Sequence, residues 1–240
     1  MNYSLNTIIL DPLSKAKPKN AVILCHGYGG DGKDISILAG YWRSYLPETI
    51  FVCPDAPEKC AASPSGFQWF DLMDQSPEQI LSKSLVAEAK LNKLIDEVKE
   101  KNNLSADKIA IGGFSQGCMI SLQTGIKRKD KINSIIGYSG RIIDKEHLSK
   151  NIVSRPNVIL MHGDVDQVVT IEGLLEAKDF FKMAGDIDQL RMADLEKQQF
   201  SMTKADLDHT KISEVYQAYL EEAENEDLSD IEELKIIYKV

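Results

Sequence analysis

Ile109-Ala-Ile-Gly-Gly-Phe-Ser-Gln-Gly-Cys-Met-Ile120 reads as a short buried strand, a glycine-flanked turn centred on Ser115, and the start of a helix. Ile109 to Ile111 is continuously apolar, as a strand covered on both faces requires. Beyond the turn, Cys118, Met119, Leu122 and Ile126 share one helical face. The turn Gly113-Phe-Ser115-Gln-Gly117 is a GxSxG pattern. In such a turn the flanking glycines let strand and helix approach closely, and the serine takes a strained conformation that lifts its hydroxyl out of the sheet. The following helix turns its free N–H groups and positive dipole end toward the place where an oxyanion would form. The competing reading is an ordinary strand-to-helix turn; the flanking strand and helix favour a nucleophile.

Working outward, apolar β-branched runs recur at Ala21 to Cys25, Ile50 to Cys53, Ser134 to Tyr138 and Asn157 to Met161. Helical patterns lie between them, the clearest starting at Ser76-Pro77-Glu78 with a capping serine and an early proline. Others are read over Ile35 to Tyr45, Gln116 to Ile126, Gly173 to Met183 and Ile212 to Glu222. Alternating strands and helices predict a mostly parallel central sheet flanked by helices on both faces. Tyr3 to Leu10 alternates more weakly and is expected to add an antiparallel edge strand.

The chain has 240 residues, 43% of them hydrophobic, enough to bury a sizeable core, so a single domain over 1–240 is expected. A net charge of −9 argues against nucleic-acid binding, which needs basic surface to neutralise phosphates. No signal pattern and no membrane-length apolar run is seen, so no stable membrane insertion and a cytoplasmic location are expected. The four cysteines lack zinc-like spacing; Cys25 and Cys53 read as buried free thiols. Neither a metal nor an organic cofactor is called for. Oligomeric state is not legible, because Trp42 and the apolar C-terminus fit a core or an interface equally.

A serine hydroxyl needs a base, and the imidazole that serves needs a carboxylate to orient it. Only four histidines are available. His26 and His162 each end an apolar strand in a His-Gly pair and are read as loop supports; His147 lies in a polar stretch ahead of the acid candidates. His209 remains, in a loop after the alternating run Gln199 to Lys204. The acid falls in the turn after Val158 to Met161, where Asp164 and Asp166 are both candidates and spacing does not choose between them. The glycine-rich loop Cys25-His-Gly-Tyr-Gly-Gly-Asp-Gly follows the second strand. It is expected to aim the Tyr28 N–H inward, completing an oxyanion hole with the Gln116 N–H. A phosphate-binding loop is the alternative, yet neither GxxxxGK[ST] nor GxGxxG occurs.

With LCHGYGGDGKD, FVCPDAP, QWFD, GFSQG and HGDVDQVV in that order, the chain resembles the phospholipase/carboxylesterase family of α/β-hydrolases, which includes the acyl-protein thioesterases. The resemblance implies an α/β-hydrolase fold and hydrolysis of small-molecule esters or acylated substrates through an acyl-serine. It implies a triad of Ser115, Asp166 and His209, choosing Asp166 over Asp164, and an acyl pocket near Trp69, Leu72 and Val168. Three departures stand out. Asp208 replaces the glycine normally found before the histidine, residues 186–198 read as a polar, partly helical insertion, and residues 223–240 form a C-terminal extension. The Asp208 change motivates an alternative, a catalytically weakened hydrolase-fold protein acting as a binding module.

Overall fold

In a computed structural model the structure describes residues 3–73, 76–163, 165–183 and 190–195. Its sheet strands are β1 (Thr7–Leu10), β2 (Asn20–Cys25), β3 (Thr49–Pro54), β6 (Ile109–Phe114), β7 (Ser134–Tyr138), β8 (Asn157–Gly163) and β9 (Leu190–Leu195). Strands β4 (Glu58–Lys59) and β5 (Phe67–Gln68) form a separate two-stranded ribbon. The helices are α1 (Gly32–Tyr45), α2 (Pro77–Asn102), α3 (Gln116–Gly125), α4 (Lys145–Ser149) and α5 (Glu172–Met183).

The seven sheet strands lie in the order β1-β3-β2-β6-β7-β8-β9, all parallel except the edge strand β1, which pairs antiparallel with β3. This is the α/β-hydrolase architecture. Because strand side chains alternate between faces, each central strand feeds two cores. Ala21, Ile23 and Cys25 join Ile50, Val52, Ile109 and Ile111 in the larger core with α2, α3 and α5. Val22, Leu24, Phe51 and Cys53 pack with Ile35, Ala39 and Trp42 of α1. Trp42 is therefore core, 8% exposed, with its ring 6.4 Å from that of Tyr138.

Helix starts follow their caps. The Asp31 side chain accepts from the Asp34 N–H at the head of α1. At α2, Ser76 accepts from the Gln79 N–H while the Gln79 side chain accepts from the Ser76 N–H, a reciprocal capping box with Pro77 in the first turn. Among the described residues no helix is long and apolar enough to cross a membrane.

One expectation is corrected. Residues 186–198 were expected to be partly helical, yet 190–195 form β9, in parallel register with β8 from Val158↔Leu190 to Gly163↔Leu195. A polar window with few apolar residues gives a weak periodic signal, whereas the unpaired edge of β8 offers a full row of backbone partners; tertiary context overrides local preference. The expected helix at Ile212 to Glu222 and the extension 223–240 lie outside the described residues.

The strand order reverses at β2, whose neighbours are β3 on one side and β6 on the other. Such a switch point opens a crevice at the carboxyl ends of the two strands. Here strands and helix meet unusually closely: a Cβ on Gly113 would lie 2.2 Å from the carbonyl oxygen of Cys25, and one on Gly117 only 2.0 Å from it. The obstructing atom is backbone, so neither side can yield cheaply. Gly117→Ala is expected to lower the unfolding free energy by about 2–3 kcal/mol in urea titration; an unchanged midpoint would contradict this packing.

Candidate active site

Ser115 stands at the end of β6 with φ +51° and ψ −114°, a conformation uncommon for a residue with a side chain. Holding it there costs on the order of 1–3 kcal/mol, and the neighbours supply the restraint. The Ser115 N–H donates to the Tyr138 carbonyl at 2.8 Å, extending the β6–β7 ladder, while its carbonyl accepts from the Met119 N–H at 3.1 Å and starts α3. Its side chain makes no capping bond to the helix, so the hydroxyl is not consumed there. As the first residue of α3, Gln116 has a backbone N–H without an intrahelical acceptor.

The loop after β2 lies beside this turn. His26 is 1% exposed, and its Nε2 accepts from the Ala56 N–H at 2.9 Å, which leaves the proton on Nδ1 to donate to the Gly27 carbonyl at 2.7 Å. Burial holds its pKa below the usual imidazole value, the Gly27 bond and the carboxylates of Asp55, Asp31 and Asp34 opposing only in part. The Gly29 N–H donates to Phe67 and the Gly30 N–H to Gly27. Of these three consecutive amides, that of Tyr28 is the one with no backbone acceptor among the described residues. The Tyr28 phenol is shielded beside Cys60, and burial pushes its pKa up to about 12, so it stays neutral.

Past β8, the turn carrying Asp166 is closed by its own side chains. Asp166 Oδ1 accepts from the Val168 and Val169 amides at 2.9 and 3.0 Å, and His162 Nε2 donates to the Val169 carbonyl at 2.6 Å. The Asp166 side chain is 5% exposed, and Oδ2, 3.7 Å from His162 Nε2, is the oxygen not used by those amides. The structure thus places Ser115 and Gln116 where β6 runs into α3, Tyr28 in the loop after the adjacent strand β2, and Asp166 in the turn after β8, which only β7 separates from β6. His209, with its neighbour Asp208, and Asp164 lie outside the described residues.

The expected pocket residues divide by burial. Trp69 is fully buried, Leu72 is half-buried against the larger core, and Val168 is 91% exposed. Sequence reasoning missed a different role for the segment around Trp69. The Trp69 N–H donates to Gln116 Oε1 at 2.8 Å, Gln116 Nε2 donates to the Phe70 carbonyl at 2.6 Å, and the Trp69 indole donates to the His26 carbonyl at 3.1 Å. The available signal was a carboxamide directly after the serine together with the unexplained QWFD run. His26 and His162 are the loop supports expected of them. His147, within α4, instead meets Lys127 Nζ at 3.2 Å.

All four cysteines are buried and free. Desolvation pushes Cys25 and Cys118 up to about 12 and Cys53 upward as well, so the thiol three residues after Ser115 is no competing nucleophile. Among the described residues no group of three or more His, Cys, Asp or Glu side chains gathers as a metal set.

Comparison with known proteins gives a consistent picture. The family model described as Phospholipase/Carboxylesterase matches residues 12–213. An acyl-protein thioesterase 1 from Yarrowia lipolytica is 30% identical over 202 residues, covering 78% of this chain and 85% of that protein. The acyl-protein thioesterase 1 of Saccharomyces cerevisiae is 32% identical over 183 residues, covering 70% and 80%. Among solved structures, esterase PE8 superposes with a TM-score of 0.76 at 32% identity, covering 88% of this chain and 99% of its own.

The neutral state of His26 has a measurable consequence. Its folded pKa lies below the unfolded value of 6.5, so the unfolded chain binds the proton first as pH falls. This contribution to stability is complete above about pH 6.5 and is lost as pH falls from there through the folded value. Unfolding free energy measured against pH is expected to decline below 6.5 with a slope of up to about 1.4 kcal/mol per unit from this group. In His26→Gln, which loses the titrating ring, that part of the slope should vanish; identical slopes in the two proteins would refute the assignment.

Proposed function

The chain belongs to the phospholipase/carboxylesterase family and is a serine hydrolase of ester or thioester bonds, and from that membership we propose that Ser115 is its nucleophile, Asp166 and His209 its proton-relay partners, and the amides of Tyr28 and Gln116 its oxyanion donors. The observation that carries this reading is the left-handed backbone of Ser115 at the strand-order switch, immediately before the free N-terminal amides of α3. A serine under such restraint has a structural cost, and among the described residues its hydroxyl makes no capping bond to repay it.

In the proposed reaction Ser115 Oγ adds to the acyl carbonyl carbon while His209 takes the hydroxyl proton. Asp166, through Oδ2, the carboxylate oxygen to which the Val168 and Val169 amides do not donate, orients the imidazole and stabilises its charged form. The carbonyl electron pair moves onto oxygen, where the Tyr28 and Gln116 N–H groups hold it. When the tetrahedral adduct collapses, His209 returns the proton to the departing alkoxide or thiolate. Water then repeats the sequence on the acyl-serine, His209 again acting first as base and then as acid. Fully buried Trp69 supports the wall beside the serine from behind, and the half-buried Leu72 and exposed Val168 are assigned to the entrance that an acyl chain passes.

The alternative of a weakened hydrolase-fold binding module is not favoured, since the relatives carry esterase and thioesterase names. It has its own signature: a folded protein whose Ser115 is not labelled. A fluorophosphonate probe is expected to label Ser115, with labelling lost in Ser115→Ala and strongly reduced in His209→Ala. Asp166→Ala should lower kcat by on the order of 10³-fold or more while leaving KM within a small factor. Wild-type esterase turnover by Ser115→Ala would overturn the proposal.

A second measurement addresses the acyl group. Turnover of p-nitrophenyl esters of graded chain length, set beside an acyl-thioester peptide, is expected to give kcat/KM for both bond types, with the chain-length profile reporting the acyl site. Failure to cleave any thioester at ester-competent enzyme concentrations would restrict the reaction to oxygen esters.

A further inference from the structure

We propose that Phe67–Phe70 is a strut that sets the distance between the two oxyanion donors, and that the side chain of Gln116 is the positioning group attaching the nucleophile turn to it. The inference rests on the assignment of the Tyr28 and Gln116 amides as those donors. It concerns the side chain of Gln116 and the indole of Trp69, neither of which touches the reacting atoms.

Gln116 is fully buried at the first position of α3. A carboxamide in that place costs desolvation of two donors and an acceptor unless each finds a partner. Both ends are matched to the backbone of one short stretch: Oε1 accepts from the Trp69 N–H at 2.8 Å and Nε2 donates to the Phe70 carbonyl at 2.6 Å. These partners fix the orientation of the amide, because a backbone N–H can only donate and a carbonyl only accept. An apolar side chain of similar size would fill the space without restraining direction.

The same four residues grip the other donor loop three times. The Trp69 indole N–H donates to the His26 carbonyl at 3.1 Å, the Gly29 N–H donates to the Phe67 carbonyl at 2.9 Å, and the Phe67 N–H donates to the Gly30 carbonyl at 2.8 Å. Tyr28 lies between His26 and Gly29, so the anchors bracket its amide from both sides. One short segment therefore bonds twice to the residue supplying one donor and three times around the residue supplying the other. Both amides must come within about 2.7–3.1 Å of a single oxygen in the transition state. A bridge that is itself tied to both loops is the means by which their spacing is held without a direct bond between them.

Gln116→Met and Trp69→Phe test this, with Gln116→Glu as a variant of nearly unchanged shape that keeps an acceptor for the Trp69 N–H and presents a second acceptor to the Phe70 carbonyl. Four quantities are read for each: the unfolding midpoint, kcat and KM for p-nitrophenyl butyrate, and Ki for an alkyl trifluoromethyl ketone. The ketone reports on the oxyanion site because the serine oxygen bonds to its carbonyl carbon, the π pair moves onto oxygen, and the hydroxyl proton passes to the base. Folded variants are expected to lose kcat about tenfold or more, to raise Ki by a similar factor, and to keep KM within about twofold, since donor placement counts only once charge has developed. The double variant Gln116→Met with Trp69→Phe should lose less than the product of the single losses, because both act on the same bridge.

Wild-type kcat and Ki in the folded variants would overturn the proposal, as would losses that follow the unfolding midpoint alone. The underlying assignment is checked apart from this: if Ser115→Ala keeps its activity, the reaction reading fails. If Ser115→Ala is inactive while Gln116→Met and Gln116→Glu behave as wild type, only the strut fails.

Discussion

The carbonyl oxygen of Cys25 is the point against which the centre of the molecule is fitted. It lies where β2 ends, and the missing side chains of Gly113 and Gly117 let β6 and α3 close onto it at distances no Cβ could share. That approach bends the chain sharply enough to leave Ser115 at φ +51°. A strained residue persists only where its surroundings over-determine it, and here the β6–β7 ladder on one side and the first bond of α3 on the other provide that. The strand-order reversal at β2 puts this bend at the mouth of a crevice rather than on a flat edge.

Around that centre the loops after β2 and β8 are each closed by side chains bonding to backbone. His26 ties the loop after β2 to Gly27 and Ala56, His162 ties the loop after β8 to Val169, and Asp166 gathers the Val168 and Val169 amides. Loops hold functional groups well only when a rigid scaffold positions them, and these bonds extend the scaffold past the ends of the strands. The chemistry is divided accordingly: His26, kept neutral by burial, and His162, through its bond to Val169, hold shape, while the proton-relay role is assigned to His209 farther along the chain.

Much of this architecture was legible from local pattern. Short continuous apolar runs mark the parallel strands because a strand covered on both faces has no polar side, and Ser76-Pro77-Glu78 announced α2 because the capping serine and the early proline are adjacent in sequence. The Ser115 turn was readable because its glycines sit at fixed offsets from the serine. Less was visible where the signal is carried by distant partners. Strand β9 has a weak apolar rhythm and owes its state to the open edge of β8. Trp69 looked like a pocket wall because an aromatic residue near a candidate site has two readings, and only its full burial and its bonds to Gln116 and His26 distinguish them.

The sequence by itself determined the alternation of strands and helices, the turn that presents Ser115, and the shortlist of histidines and acids able to serve it, because each of these depends on residues within one turn or strand of one another. Tertiary structure alone decided that β9 joins the sheet, that Trp42 and Trp69 are core, and that a carboxamide beside the serine reaches across 47 positions of chain to Trp69. The physical reason is common to all three. Burial and hydrogen-bond pairing between distant segments are properties of the assembled surface, and they leave no fixed spacing in the chain for a pattern to record.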